Sequence, residues 1–137
     1  MKPDLRRLSG TVIFLATAGL WTAGCSNAFE LPDREPAIAG EIVAVGEPSP
    51  APGSSILITV HVKETPTSGD PCGIIFRVTP DTNIGVRPVG GPPYPVGLER
   101  LRVGAFLSAW DRGGVAESCP AQAEALAIEL EDAGAGP

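Results

Sequence analysis

Glycine and proline interrupt this chain so often that only short regular segments fit between them. The 137 residues include 17 glycines and 15 prolines. Proline lacks the amide proton that a helix interior or a central strand needs, so each one marks a loop, a turn or a sheet edge. The residues 88–97, PVGGPPYPVG, are mostly proline and glycine and are predicted to form an irregular surface loop.

Alternation of apolar and polar side chains identifies the strands between these interruptions. The clearest case is ILITVHVK, residues 56–63. One face of it carries Ile56, Ile58, Val60 and Val62, and the other carries Leu57, Thr59, His61 and Lys63. Residues 74–79, IIFRVT, repeat the pattern with Ile74, Phe76 and Val78 on one face. Two half-buried strands predict a sheet with one covered face.

Weaker patterns extend the sheet. Residues 37–45 are predicted to form a strand that bends at Gly40, and residues 105–110 form another. Residues 82–87 are compatible with a short strand, and one helical turn is predicted just after residue 97. In the final segment, Leu126, Ile128 and Leu130 are predicted to face inward and Glu129 and Glu131 outward. The prediction is an all-β barrel or sandwich.

The N-terminus has the organisation of an export signal. Lys2, Arg6 and Arg7 precede an uncharged, mostly apolar stretch of 13 residues, 11–23. That is too short for a membrane-spanning helix, which needs about 20 residues, and is typical of a secretory signal. Residues 22–25, TAGC, resemble the bacterial lipobox, although Thr22 stands where Leu is usual. We therefore expect residues 1–24 to be removed and Cys25 to carry lipid.

These assignments predict four regions and a compartment. Residues 1–24 are the lipoprotein signal peptide, 25–36 a tether, 37–131 the barrel domain and 132–137 a flexible tail. The mature protein is predicted to be held at a bacterial membrane through Cys25, facing the periplasm or the cell exterior. Residues 1–24 hold three of the ten Lys and Arg and one of the sixteen Asp and Glu, so the mature net charge is −8. That charge disfavours nucleic acid as a partner.

One part of the sequence resembles a known family. LRVGAFLSAW, residues 101–110, followed by AESCPAQAEALAIEL, is similar to the C-terminal half of a small bacterial domain family of uncharacterised function. That family occurs in lipoproteins and secreted proteins, with the pattern Leu-x-Val-Gly and then Glu-Ser-Tyr-Pro-x-Gln-Ala. The resemblance covers about residues 38–130 and implies a five-stranded OB-like barrel, but no activity. Cys119 stands where the family usually has tyrosine.

The cysteines offer three interpretations. With Cys25 assigned to lipid, Cys72 and Cys119 remain as an even pair in an exported domain, which favours a structural disulfide. A redox-active pair that cycles is the alternative, although no Cys-x-x-Cys motif is present. A zinc site needs three or four ligands, and two cysteines with one histidine supply a poor set. No metal and no cofactor are predicted.

The candidate contact surface is the polar face of the two clear strands. In OB barrels the face of strands two and three often binds oligomeric ligands, so Thr59, His61 and Arg77 are candidate contacts for a protein or glycan partner, or for a small ligand. A solvated His61 is the simpler interpretation. The chain has neither a nucleophile-base motif around its single histidine nor a phosphate-binding loop before a helix. A non-enzymatic binding or accessory module is predicted.

Overall fold

The structure, a computed structural model, describes residues 29–47, 51–64 and 71–132. The predicted signal peptide, Cys25 and residues 133–137 of the predicted tail lie outside these ranges. The described part contains seven strands and one single-turn 3-10 helix at Leu98–Arg100, where the helical turn is predicted. The strands are β1 Ile38–Gly46, β2 Ile58–Lys63, β3 Ile74–Val78, β4 Asn83–Arg87, β5 Tyr94–Pro95, β6 Phe106–Asp111 and β7 Ala121–Glu131.

Five of these strands close into a barrel in the order β1-β2-β3-β7-β6. Strand β1 pairs antiparallel with both β2 and β6. Strand β7 completes the circle by pairing antiparallel with β6 and parallel with β3. The predicted all-β, five-stranded OB-like barrel is confirmed.

Strand β1 reaches both neighbours because it bends around the barrel. Its first residues pair with β6 and its later ones with β2, and a bulge at Val43 separates Ile42 from Ala44 in the β2 register. The bulge thus lies beyond Gly40. A Cβ on Gly40 would overlap the carbonyl oxygen of Lys63, so this position needs glycine for close backbone approach.

Strands β4 and β5 lie outside the barrel. Strands β3 and β4 follow one another along the same edge of β7, both parallel to it, so the weak strand pattern at residues 82–87 is confirmed. The prediction that residues 88–97 are entirely irregular is wrong at Tyr94 and Pro95, which pair with β4. Proline is tolerated there because β5 is an edge strand.

The core contains most of the residues that alternation predicts on the inner faces of β2 and β3, whereas Ile56 and Ile58 are half-buried. Val60, Val62, Phe76 and Val78 are fully buried, and Ile74 is nearly so. Strands β1, β6 and β7 complete this core with Ile42, Leu107 and Ile128 among others.

Strand β7 differs from its prediction. It begins at Ala121, well before the Leu126–Leu130 pattern from which the strand is predicted. Ala125 and Ala127 pair with consecutive residues of β6, which leaves Leu126 as an extra, bulged residue. Leu126 is therefore half-buried outside the core, while Ile128 and Leu130 face inward as predicted.

Residues 29–37 form a strap across the outer surface of β6, β7 and β4. Trp110 alternates with the core residue Ala109 and so points outward, yet it is only 5% exposed and lies apart from the main core. Its indole nitrogen donates a 2.8 Å hydrogen bond to the carbonyl oxygen of Arg34. The strap therefore covers an apolar patch on the outside of the barrel.

The far end of the strap is held by Phe29. A Cβ built on Gly85 of β4 would lie 2.6 Å from two carbons of the Phe29 ring, so the ring rests directly on the glycine backbone. Residues 29–36, which the sequence suggests as a tether, are thus in contact with the barrel.

This contact predicts an energetic coupling between Phe29 and Gly85. A methyl group at residue 85 has no room beneath the ring, and overpacking of this kind typically costs about 1–3 kcal/mol. We expect Gly85→Ala to lower the free energy of unfolding, measured in urea, by about that amount. In a Phe29→Ala background the same change should cost little, because the ring is gone. Equal costs in both backgrounds would contradict the docking of Phe29.

Candidate functional site

The structure places the three candidate contact residues on one outer face of the barrel. Thr59 of β2 lies directly opposite Arg77 of β3. His61 follows two residues along β2, on the same side, because side chains alternate along a strand and the residue between, Val60, is buried. We refer to this surface as the β2–β3 face.

Neighbouring strands widen the β2–β3 face into two rows of side chains. The first row runs across four strands through Gly46, Thr59, Arg77 and Glu124. The second runs through Ala44, His61, Ile75 and Gln122. On β1 the residues of this face are alanine and glycine, and the Thr59 hydroxyl packs over Gly46, where a Cβ would overlap it.

Sequence reasoning did not include Glu124 and Gln122 in the site. Both belong to the first half of β7, which pairs parallel with β3. The sequence does indicate a strand here, because these two polar residues alternate with Ala121, Ala123 and Ala125. Nothing in it indicated β3 as the neighbour.

The charge of this face differs in sign from that of the whole chain. The Nε of Arg112 lies 3.3 Å from a carboxylate oxygen of Glu124, and the backbone amide of Arg112 donates to the carbonyl oxygen of Glu124. Both side chains are more than a third exposed, so the ion pair adds little stability. At its β7 end the first row therefore carries the guanidinium groups of Arg77 and Arg112 and the single carboxylate of Glu124. Such a group suits an anionic ligand better than a cationic one.

His61 has a structural bond that the sequence did not indicate. Its ring is half-buried, and Nε2 lies 2.7 Å from the carbonyl oxygen of Cys72. A carbonyl oxygen only accepts, so Nε2 carries the proton and Nδ1 is the nitrogen left to accept. The interpretation of His61 as a merely solvated side chain is therefore wrong. The ring holds the loop that carries Cys72 against β2.

Cys72 and Cys119 form a disulfide, as predicted. Their Cα atoms are 5.3 Å apart, within the usual range. Cys72 precedes β3 and Cys119 precedes β7, and the two strands start side by side because they are parallel, with Ile74 opposite Ala121. The peptide bond between Cys119 and Pro120 is cis. The bridge fastens the end of the β2–β3 face at which β3 and β7 begin.

Asp111 is the acidic group most strongly held in place. A hydrogen bond from the Arg34 guanidinium lowers the pKa of the Asp111 carboxyl, and the backbone amide of Gly114, 2.6 Å from Oδ2, acts in the same direction against the opposing effect of burial. Asp111 thus fixes both the strap and the turn after β6. It remains ionised around neutral pH and has a structural role.

Within residues 29–47, 51–64 and 71–132, no three His, Cys, Asp or Glu side chains are grouped so that they could hold a metal ion. The same ranges contain no helix with the length and apolar character of a membrane span.

Comparison with known proteins adds no relative. No protein-family model matches the chain, and neither the curated proteins nor the solved structures gave a match. The resemblance to the uncharacterised lipoprotein family stays a prediction.

The disulfide should contribute a large part of the domain's stability. Its partners are 47 residues apart, and closing a loop of that length stabilises the folded state by about 4 kcal/mol in the chain-entropy model. We expect the Cys72→Ala/Cys119→Ala double variant to lose about this much in urea unfolding. Reductant should reproduce the loss in the wild type and have no effect on the double variant.

The same bridge can be tested against the redox alternative. A structural disulfide has a reduction potential below about −300 mV, whereas a cycling pair has a higher one. Alkylation of both Cys72 and Cys119 in the folded, non-reduced protein would show that the bridge is not a constitutive feature.

Proposed function

We propose that this protein is a lipid-anchored, extracytoplasmic binding or accessory module without enzymatic activity. The observation that carries the binding role is the register of β2 and β3, which sets Thr59 opposite Arg77 and His61 beside them on one outer face. The ligand class that fits best is an extended oligosaccharide bearing carboxylates.

The dimensions of the β2–β3 face support an extended ligand. Four adjacent strands span about 14 Å, since neighbouring strands lie about 4.8 Å apart. OB barrels use this face for oligomeric ligands, which is an analogy of fold rather than a property of these residues.

The side chains of the face support a carboxylate-bearing sugar. The planar guanidinium of Arg77 matches the geometry of a carboxylate. The Thr59 hydroxyl and the Gln122 amide each donate and accept, as sugar hydroxyls require. Ile75 supplies an apolar surface between them for the ring of a sugar unit.

The proposed compartment follows from the N-terminal sequence and agrees with the bridge. A short apolar segment followed by TAGC supports lipid attachment at Cys25. Disulfides form and persist in oxidising compartments outside the cytoplasm. The mature domain would then face the periplasm or the cell exterior, with the membrane and the ligand as its partners.

The absence of catalysis is part of the proposal. The chain has a single histidine, and its Nε2–H bonds to the carbonyl oxygen of Cys72. A general base must lie within hydrogen-bonding reach of a nucleophile. The hydrogen-bond partner of the His61 ring is a backbone carbonyl oxygen and not a hydroxyl or thiol, which supports a positioning role for His61.

The anchor is tested by metabolic labelling. Cells expressing the full chain and supplied with an alkynyl palmitate analogue should label the wild-type protein. We expect Cys25→Ala to abolish the label, because its thiol is the acceptor of the diacylglyceryl group. Ser26→Ala, one residue away, is the matched control and should keep it. Wild-type protein found wholly in the soluble extracytoplasmic fraction would defeat the anchor.

The ligand face is tested by titration with oligogalacturonate, and with a neutral dextran oligomer as the reference. Loss of one charged hydrogen bond costs about 1.5–3 kcal/mol, so Arg77→Ala should weaken oligogalacturonate binding at least about tenfold. Arg102→Ala removes the same charge at an exposed position on the segment before β6 and should have little effect. Equal losses in both variants, or no binding of oligogalacturonate by the wild type, would contradict the assigned face. His61→Ala is a poorer test because it also removes the bond to Cys72.

A further inference from the structure

The strap determines where the predicted anchor leaves the barrel. Phe29 rests on Gly85 of β4, and Cys25 precedes it by four residues. An extended chain spans at most about 3.5 Å per residue, so these four residues reach no more than about 14 Å. If Cys25 carries lipid, the bilayer surface lies within that distance of the Phe29 site.

The β4–β5 hairpin carries an exposed loop that is close to this site along the chain. Gly85, beneath the Phe29 ring, pairs with Pro95, and Val86 pairs with Tyr94. Val89 follows Gly85 by four residues, so the loop tip also lies no more than about 14 Å from this glycine, the length of that chain when fully extended. The predicted anchor and the loop tip thus both lie within a short length of chain from the β4 edge of the domain.

The loop has the composition of a segment that contacts the interfacial region of a bilayer. Residues 88–98 contain no charged side chain. Val89 is 89% exposed and Tyr94 is 42% exposed, so Val89 is almost fully open to solvent and Tyr94 is partly open. Tyrosine favours the membrane-water interface, where its ring and hydroxyl meet different surroundings.

The adjacent charges favour a neutral contact over an electrostatic one. Arg87, at the base of the loop, is paired with Glu129 through two hydrogen bonds of 2.9 and 3.0 Å. The strap itself carries Glu30, Asp33 and Glu35, which an anionic lipid surface would repel. A contact at this edge therefore depends on uncharged side chains.

We propose that the β4–β5 loop together with β5, residues 88–95, contacts the lipid bilayer beside the anchor through Val89 and Tyr94. The domain then has a defined orientation, with the β4–β5 edge toward the lipid. This inference rests on the proposed lipid attachment at Cys25 and adds to it a second, reversible point of contact.

The test uses the full processed lipoprotein in phosphatidylcholine vesicles, with and without brominated acyl chains that quench tryptophan. Tyr94→Trp and Val89→Trp are two independent reporters in the loop. Val43→Trp is the matched control, because Val43 is 38% exposed on β1, which does not border β4 or β5. The native Trp110 is buried and gives a constant background.

We expect tryptophan emission from residues 89 and 94 to fall in brominated vesicles, and emission from residue 43 to stay unchanged. Equal quenching at all three positions, or none in the loop, would overturn the orientation. Flotation of the same vesicles reads the anchor separately. If the protein floats but the loop tryptophans are not quenched, the anchor is supported and the loop contact is refuted. If the protein does not float, both are refuted.

Discussion

The parallel pairing of β3 and β4 with one long strand, β7, is the constraint on which the other features depend. Parallel neighbours begin at the same edge of a sheet, so the loops before β3 and β7 meet there. The Cys72–Cys119 bridge joins those two loops. The same pairing brings Glu124 and Gln122 beside Arg77 and Ile75, which extends the β2–β3 face onto a third strand.

The second half of β7 has a different role because of the bulge at Leu126. Beyond it, Ala127 lies opposite Trp110 on the outside of the barrel, and the strap covers both. An exposed tryptophan on an outer face would be an apolar patch open to water. Covering it requires the strap, and the Arg34 contacts with Trp110 and Asp111 hold the strap in place.

The sequence predicts those parts of the fold in which strong local alternation meets a single buried face. Strands β2 and β3 are of this kind, with large aliphatic residues on one side only. Strand β7 is harder to read, because its first half alternates alanine with polar residues and its bulge then reverses the inward side. The disulfide between Cys72 and Cys119 could be predicted from the predicted export of the domain. The parallel pairing of β3 with β7, which brings the two cysteines together, could not.

The missed contacts depend on tertiary neighbours that no local pattern encodes. A polar, proline-containing segment looks like a tether, and it becomes a strap because Gly85 leaves space for the Phe29 ring and because Arg34 bonds to Trp110 and Asp111. In the same way, His61 looks solvated on β2. Its partner is a carbonyl oxygen of the loop that leads into β3, and the position of that loop is fixed by the sheet and the disulfide together.

The bulge at Leu126 also explains how one small barrel can present two separate surfaces. Gln122 and Glu124 precede it and belong to the β2–β3 face, while Ala127 and Glu129 follow it and lie under the strap or beside Gly85. The strap therefore covers the second half of β7 and leaves the first half accessible. In the proposed arrangement, an anchor that emerges at β4 would hold the β4–β5 edge near the lipid without covering Arg77, so that the proposed membrane attachment and ligand binding are compatible.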